Sequence, residues 1–262
     1  QGPGGYRRLS QKDAHLTATK HEMLYAGRPG GARASFAFCD LSGLDLSGRA
    51  LGDADFSGAV LTEANLTRAK LDNVNFFAAD LRRANLEGAS LRRCDLRGAS
   101  MRGANLTGSD LFEADLREGV IAERDRRAGI KVLRHDDSPT EMPGALLAHA
   151  NLERAKMTGV IALQADFSDA VMRGCRLVRA NLKHVNMSGA ILENADLSGA
   201  DLTGANLRGA VLTGASLLHA RCDGADMTGV LTDAPSGKSL EDLPEPIDTM
   251  LKNHALWVET QG

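Results

Sequence analysis

From Phe36 onward an apolar residue returns at every fifth position. The series runs Leu41, Leu46, Leu51, Phe56 and on without a break to Ile121, and a second series runs from Leu147 to Thr232. A small residue usually stands two places earlier, as at Ala54, Ala59, Ala64 and Ala69. Alternate residues of an extended segment share one side, so both positions face inward. A period of five fits neither a helix near 3.6 nor a strand at 2. A unit this short cannot bury its own apolar side chain and must stack on copies of itself, which predicts a solenoid. Glycine is frequent at the fifth position, for example Gly43, Gly48 and Gly58, where the chain can turn a corner at little steric cost. The Asp and Asn residues beside the central position are expected to bond local backbone at those corners.

Where the beat is absent, other elements are predicted. Ser10 with Asp13 resembles a helix cap, and Leu16, Met23 and Leu24 can share one face of a short amphipathic helix before Gly27, Pro29, Gly30 and Gly31 stop it. A helix there would cover an open solenoid end. From Ala122 to Gly144 the period fails. The interval from Ile121 to Leu147 is 26 residues, one more than a multiple of five, so the register slips. A loop bulging from one continuous stack is the preferred reading, and two stacks meeting at a hinge would also absorb the slip. After Asp233, Pro246 suits a first helical turn, and Ile247, Met250, Leu251, Trp257 and Val258 lie near one helical face. The chain thus divides into an N-terminal segment 1–34, a first array 35–122, an inserted loop or linker 123–144, a second array 145–232 and a C-terminal segment 233–262. His254 to Val258 echoes His21 to Tyr25, which suggests that the chain stops where another array would begin. Gln1 and Gly2 are compatible with the remnant of a cleaved tag.

Each series has eighteen central positions, and nine coils at ~4.8 Å would make a rod on the order of 43 Å. The weakest central residue, Ala162, is expected to mark a loose or bent coil. With 31 Lys and Arg against 34 Asp and Glu, the chain has no long-range field to draw in nucleic acid or an anionic membrane. No apolar run reaches the length of a membrane span, and no signal-peptide core is visible, so the expected location is the cytoplasm. Cys39, Cys94, Cys175 and Cys222 stand at inward positions and form no CxxC pair, which argues for filler rather than metal or redox chemistry. Gly237–Ser239 lacks the glycine that a phosphate loop needs, and His135–Asp137 is explained by a polar loop. No catalytic constellation, cofactor site, metal site or small-molecule substrate is expected.

The repeated Ala-Asp/Asn-Leu pattern resembles the pentapeptide-repeat family, whose motif is A(D/N)LXX, over roughly two thirds of the chain. The resemblance implies an all-β fold, a right-handed quadrilateral β-helix in which four pentapeptides make one square coil, here with short capping α-helices at both ends. Residues twenty apart would then stack, placing Phe36, Phe56 and Phe76 in one column. The resemblance implies no enzyme activity. Its best understood members protect DNA gyrase or topoisomerase IV as rod-like dimers resembling B-form DNA in shape and negative charge.

Two outward features suggest a surface for a protein partner. Arg82, Arg83, Arg92, Arg93, Arg97 and Arg102 cluster in the middle coils of the first array, and Phe77 and Phe112 point outward just after central residues. The loop adds Arg124, Arg126, Arg127 and Arg134. The first reading is therefore a non-enzymatic scaffold or protein-interaction module, with a homodimer through one end of the helix as a further expectation. The alternative is a DNA-mimicking modulator or protector of gyrase or topoisomerase IV. From Phe36 to Ile121 there are 10 basic and 13 acidic residues, and from Leu147 to Thr232 there are 8 and 8. So neutral a rod is a poor DNA mimic, and direct nucleic-acid binding is not expected.

Overall fold

The computed structural model describes residues 6–125, 129–233 and 249. Successive pentapeptides in it pair through parallel bridges with partners twenty residues apart, in four ladders that begin Ser35↔Asp55, Asp40↔Val60, Asp45↔Asn65 and Ala50↔Lys70. Four pentapeptides therefore complete one coil, and the coils stack into a repeat β-helix.

The hydrogen bonds of one unit explain its composition. In Ala54–Gly58, the Ala54 N–H donates to the Leu51 carbonyl and closes the corner behind it. Asp55 N–H reaches back to the Ala34 carbonyl, while Phe56 and Gly58 N–H reach forward to the Asn75 and Phe77 carbonyls. Only Ser57 N–H is left over, and the Asp55 carboxylate accepts it at 3.0 Å. All five donors are then satisfied, which a backbone withdrawn from water requires. Asn65 does the same for Thr67, Asp110 for Phe112 and Asp201 for Thr203. Not every unit has an Asp or Asn here: Glu141 stands at this position, and Pro143 two places on has no N–H to satisfy, while the Arg92 N–H is within reach of the Asp72 carboxylate at 3.3 Å. The residue two places after each central position of the described coils, save Glu118 where the chain leaves for the hairpin, has positive φ, near 56° at Arg93 and 66° at Gly98, a conformation that glycine adopts without strain.

Central and small residues fill the interior. The Phe36 and Phe56 rings stack at 4.7 Å and Phe56 and Phe76 at 5.1 Å, the column that the resemblance implied. Ala162 does not loosen its coil. It is fully buried, and its N–H still meets the Asn181 carbonyl at 2.9 Å, the same length as the Leu207 bond. The other central residues of that coil are Met157, Phe167 and Met172, all longer than Leu, so volume is kept while the single residue shrinks.

The stack continues across the insertion. Ser100 pairs with Glu141, Asn105 with Leu146, Asp110 with Asn151 and Asp115 with Lys156. Each partner is 41 residues on instead of 20, so 21 residues are inserted (41 − 20). They form an antiparallel hairpin of β3 (Gly119–Asp125) and β4 (Gly129–Ser138), where the sequence suggested a loop or linker. The core column passes from Leu116 to Met142, with Thr140 buried at the small position. Ile121 keeps the five-residue beat yet belongs to β3, and the second run begins one pentapeptide before Leu147. Spacing alone could not reveal this, because an apolar residue in a hairpin can fall on the beat by coincidence.

At the N-terminal end, β1 (Arg7–Arg8) pairs in parallel with β2 (Cys39–Asp40), and α1 (Gln11–Tyr25) follows its N-cap Ser10. The expected apolar face is not the buried one: Leu16 and Leu24 are exposed, and Ala14, Ala18 and His21 are buried. The reason is chemical. The first coil presents unpaired backbone groups, which need polar partners. The Gln11 amide accepts from Asp45 N–H at 2.9 Å and donates to its carbonyl at 2.7 Å, and the Glu22 carboxylate accepts from Ala50 N–H at 3.1 Å. His21 Nδ1 accepts from Ala34 N–H, so its Nε2 carries the proton that goes to the Gly52 carbonyl at 2.8 Å. The helix expected near 247–258 and the Gly237–Ser239 motif lie outside the described residues, apart from Thr249, whose backbone is helical.

Candidate interaction surface

Of the sequence-predicted residues, the structure brings two groups together. Arg92, Arg93, Arg97, Phe77 and Phe112 lie on adjoining faces next to the base of the hairpin. Arg82, Arg83 and Arg102 lie elsewhere, with Thr62, Gly103 and Pro143, around a groove of about 400 Å³.

The two outward phenylalanines are not bare. Each is half-buried beneath an arginine: Arg92 stands 4.5 Å over the Phe112 ring and Arg97 5.5 Å over Phe77. Twenty residues separate the stacked pairs, so one coil supplies the ring and its neighbour the guanidinium.

Nor are the arginines free positive charge. Arg92 pairs with Asp110 at 2.6 Å, Arg93 with Glu113 at 2.9 Å and Arg97 with Asp95 at 2.6 Å. Arg82 pairs with Asp80 at 2.5 Å, Arg83 with Glu63 at 2.5 Å and Arg102 with Glu141 at 3.4 Å. Each buried Leu or Phe of the core contributes roughly 1.5–3 kcal/mol, whereas exposed pairs of this kind are screened by solvent. They do little for stability, but they cancel the charge that made the cluster look basic. Of the hairpin arginines, Arg126 and Arg127 lie outside the described residues, and only the backbone of Arg124 and Arg134 is described.

The hairpin base is tightly joined to this surface. Thr140 Oγ1 accepts from Gly98 N–H at 3.0 Å and lies within hydrogen-bond distance of the Leu96 and Arg117 carbonyls. Gly119 lies so close to Arg97 that a Cβ there would stand 2.9 Å from the Arg97 carbonyl carbon. Beside the junction is a cavity of about 600 Å³ lined by Arg93, Cys94, Asp95, Arg97, Glu113, Asp115, Arg154 and Lys156. Its four cations face three carboxylates. Burial pushes Asp115 up, but hydrogen bonds from Arg117 and the Arg117 charge outweigh it and leave the carboxyl below its usual range. Burial likewise raises the Cys94 thiol well above the range in which a nucleophilic thiolate forms, and its S–H meets the Leu71 carbonyl at 2.9 Å. Burial pushes the Cys175 thiol up to about 12. All four cysteines are free, and no cluster suited to a metal occurs among the described residues. Glu113, Arg154 and Lys156 were missed from sequence. Glu113 meets Arg93 at the ordinary twenty-residue spacing, whereas Arg154 and Lys156 become neighbours of Arg93 and Asp115 only through the 41-residue offset.

The family profile for pentapeptide repeats matches this chain in 8 copies, over residues 33–76, 79–117, 143–174, 163–199, 175–214 and 195–231. The chain belongs to the pentapeptide-repeat family. The one long unmatched interval between copies contains the hairpin. Among solved structures, the chain is similar to HetL, a pentapeptide repeat protein involved in heterocyst differentiation regulation from the cyanobacterium Nostoc sp. strain PCC 7120, with 31% identity over 78% of this chain and 86% of that one, TM-score 0.29. It is similar to Rfr23 from the cyanobacterium Cyanothece 51142, with 29% identity over 53% and 91%, TM-score 0.37. QnrB1, a plasmid-mediated fluoroquinolone resistance protein, aligns at 20% identity over 74% and 85%, TM-score 0.42. None of the curated proteins matches the chain by sequence.

Proposed function

We propose that this protein is a non-enzymatic scaffold that binds another protein through the outer surface of its β-helix around the base of the hairpin. The observation that carries the reading is the way the hairpin is inserted: 21 residues leave the stack, yet every ladder passes across the gap. The excursion adds nothing to the stack and so is best explained by what it presents outward. The absence of enzyme activity is part of the reading, supported by an interior filled with side chains and by the burial of the Cys94 and Cys175 thiols. We take the coils to be square and right-handed, the N-terminal helix to act as a cap, and the protein to work in the cytoplasm. A homodimer through one end belongs to the same reading.

The alternative, a DNA-mimicking partner of gyrase or topoisomerase IV, needs a continuous acidic surface. Asp80, Asp95, Asp110, Asp115 and Glu113 are engaged by arginines, which favours the scaffold. The test is affinity capture with the full chain and with a variant lacking residues 119–139, identifying the captured protein by mass spectrometry, alongside a gyrase supercoiling assay. A partner held only by the full chain supports the reading. Equal capture by both removes the hairpin base, and a stable topoisomerase complex would put the alternative first.

A further inference from the structure

The outward position before each central residue is polar along most of the rod. In one ladder it changes character. The column that begins Ala50, Lys70, Ser90, Asp110 and Asn151 continues as Val171, Ile191, Val211 and Leu231, paired rung to rung. Over the same coils the other three columns read Lys156, Arg176, Asp196, Ser216; Ile161, Asn181, Asp201, Arg221; and Asp166, Asn186, Asn206, Asp226. Val171, Ile191 and Val211 are half-buried, and Leu231 is 59% exposed. Beside the stripe runs a corner column of Asp169, Gly189, Gly209 and Gly229; the Asp169 carboxylate lies over Gly189, while no side chain lies within 4 Å of where a Cβ of Gly209 or Gly229 would stand. A contiguous apolar stripe of this kind on a soluble surface marks a contact.

We propose that the stripe Val171–Ile191–Val211–Leu231 is the docking site of this chain's own segment 247–258, held by its apolar face of Ile247, Met250, Leu251, Trp257 and Val258. Asp233 is tied to the foot of the same face, its carboxylate accepting from Gly214 N–H at 2.8 Å. The chain leaves the described coils beside Leu231, where the stripe ends. Four rungs span roughly 14 Å, and a twelve-residue helix is about 18 Å long. The spacer 234–246 could reach on the order of 43 Å if extended, ample for the return. Thr249, the one described residue of segment 247–258, has helical backbone. The tether holds the segment at an effective concentration of about millimolar, so even a weak apolar contact is occupied. The polar columns on the other faces offer nothing comparable, and the stripe fades into Asn151 and Asp110 at the distance where the helix would end.

Trp257 is the only tryptophan in the chain, so its fluorescence reports the docking directly. In the full chain its emission should be blue-shifted and shielded from acrylamide relative to the chain in guanidinium chloride. In the double variant Ile191→Asp/Val211→Asp, the emission should move to the red and the quenching constant rise severalfold, with the far-UV circular dichroism of the rod kept. Should that variant lose its fold, Ile191→Thr/Val211→Thr keeps the β-branched shape and should still raise quenching measurably. Shielding that persists in a folded variant, or a Trp257 already as accessible in the native chain as in the denatured one, would overturn the proposal. Shielding lost on simple dilution, in step with dissociation of a dimer in sedimentation velocity, would give the stripe to a second copy and overturn it equally.

Discussion

Removing residues 119–139 should leave the β-helix whole. The excision joins Glu118 to Thr140, so Thr140 takes the inward place that a 20-residue coil assigns to position 119, and Met142 takes the next central one. Nothing in the ladders has to move, because Ser100–Glu141 through Asp115–Lys156 are already paired. Opening a loop of this length costs about 2–3 kcal/mol of closure entropy. Its removal should leave the melting midpoint unchanged or raise it by up to about 10 °C in a protein of this size, followed by circular dichroism at 218 nm. Two neighbouring deletions sharpen the test. Removing 119–140 places Glu141 at the small inward position, and removing 119–138 places it at the central one. Either buries a carboxylate, at a cost of several kcal/mol, and should lower the midpoint clearly or split the transition. The reasoning would be refuted by three variants that melt alike, or by an in-register excision that melts as low as its neighbours.

Three further outcomes follow from individual contacts. Phe56→Ala removes the middle ring of the stacked column and should cost about 3–5 kcal/mol, read as a lower denaturant midpoint, whereas Phe56→Leu should recover most of it. His21→Ala leaves Ala34 N–H and the Gly52 carbonyl without their partner, and should cost about 1–3 kcal/mol, confined to α1 and the first coil; hydrogen exchange there should accelerate while amides near Leu192 stay protected. The Ser47 backbone N–H holds the Asp45 carboxyl below its usual range, and the Thr203 hydroxyl does so for Asp201. Their stabilising contribution is present above the unfolded value of ~3.9 and is lost as pH falls through the lower folded values. The melting midpoint should therefore drop in acid below about pH 4, and Asp45→Asn/Asp201→Asn, which keeps the acceptor oxygen, should flatten that drop.

The five-residue beat by itself determined a great deal. Phe36, Leu41 and Leu46 could only be core, because no other arrangement buries a side chain that returns every five residues. The Asp before Leu41 and before Leu46 accepts the one backbone N–H of its unit that the ladders do not use. The helix after Ser10 was also legible from its cap. Its buried face was not, since Ala14, Ala18 and His21 answer to the backbone groups of coil one and not to any apolar core. The candidate surface was half legible. Arg92, Arg93 and Arg97 could be seen to point outward, but the acids of Arg92 and Arg93 lie eighteen and twenty residues away, and pairing at that distance exists only once the coils are stacked. The same holds for the insertion: Ile121 sits on the beat yet leaves the stack, while Thr140 and Met142 return to it. Periodicity in a sequence records which way a side chain faces. Which coil stands above it, and therefore which charge it meets, is set by the twenty-residue stacking and, across the hairpin, by the 41-residue offset, both of them properties of the assembled rod.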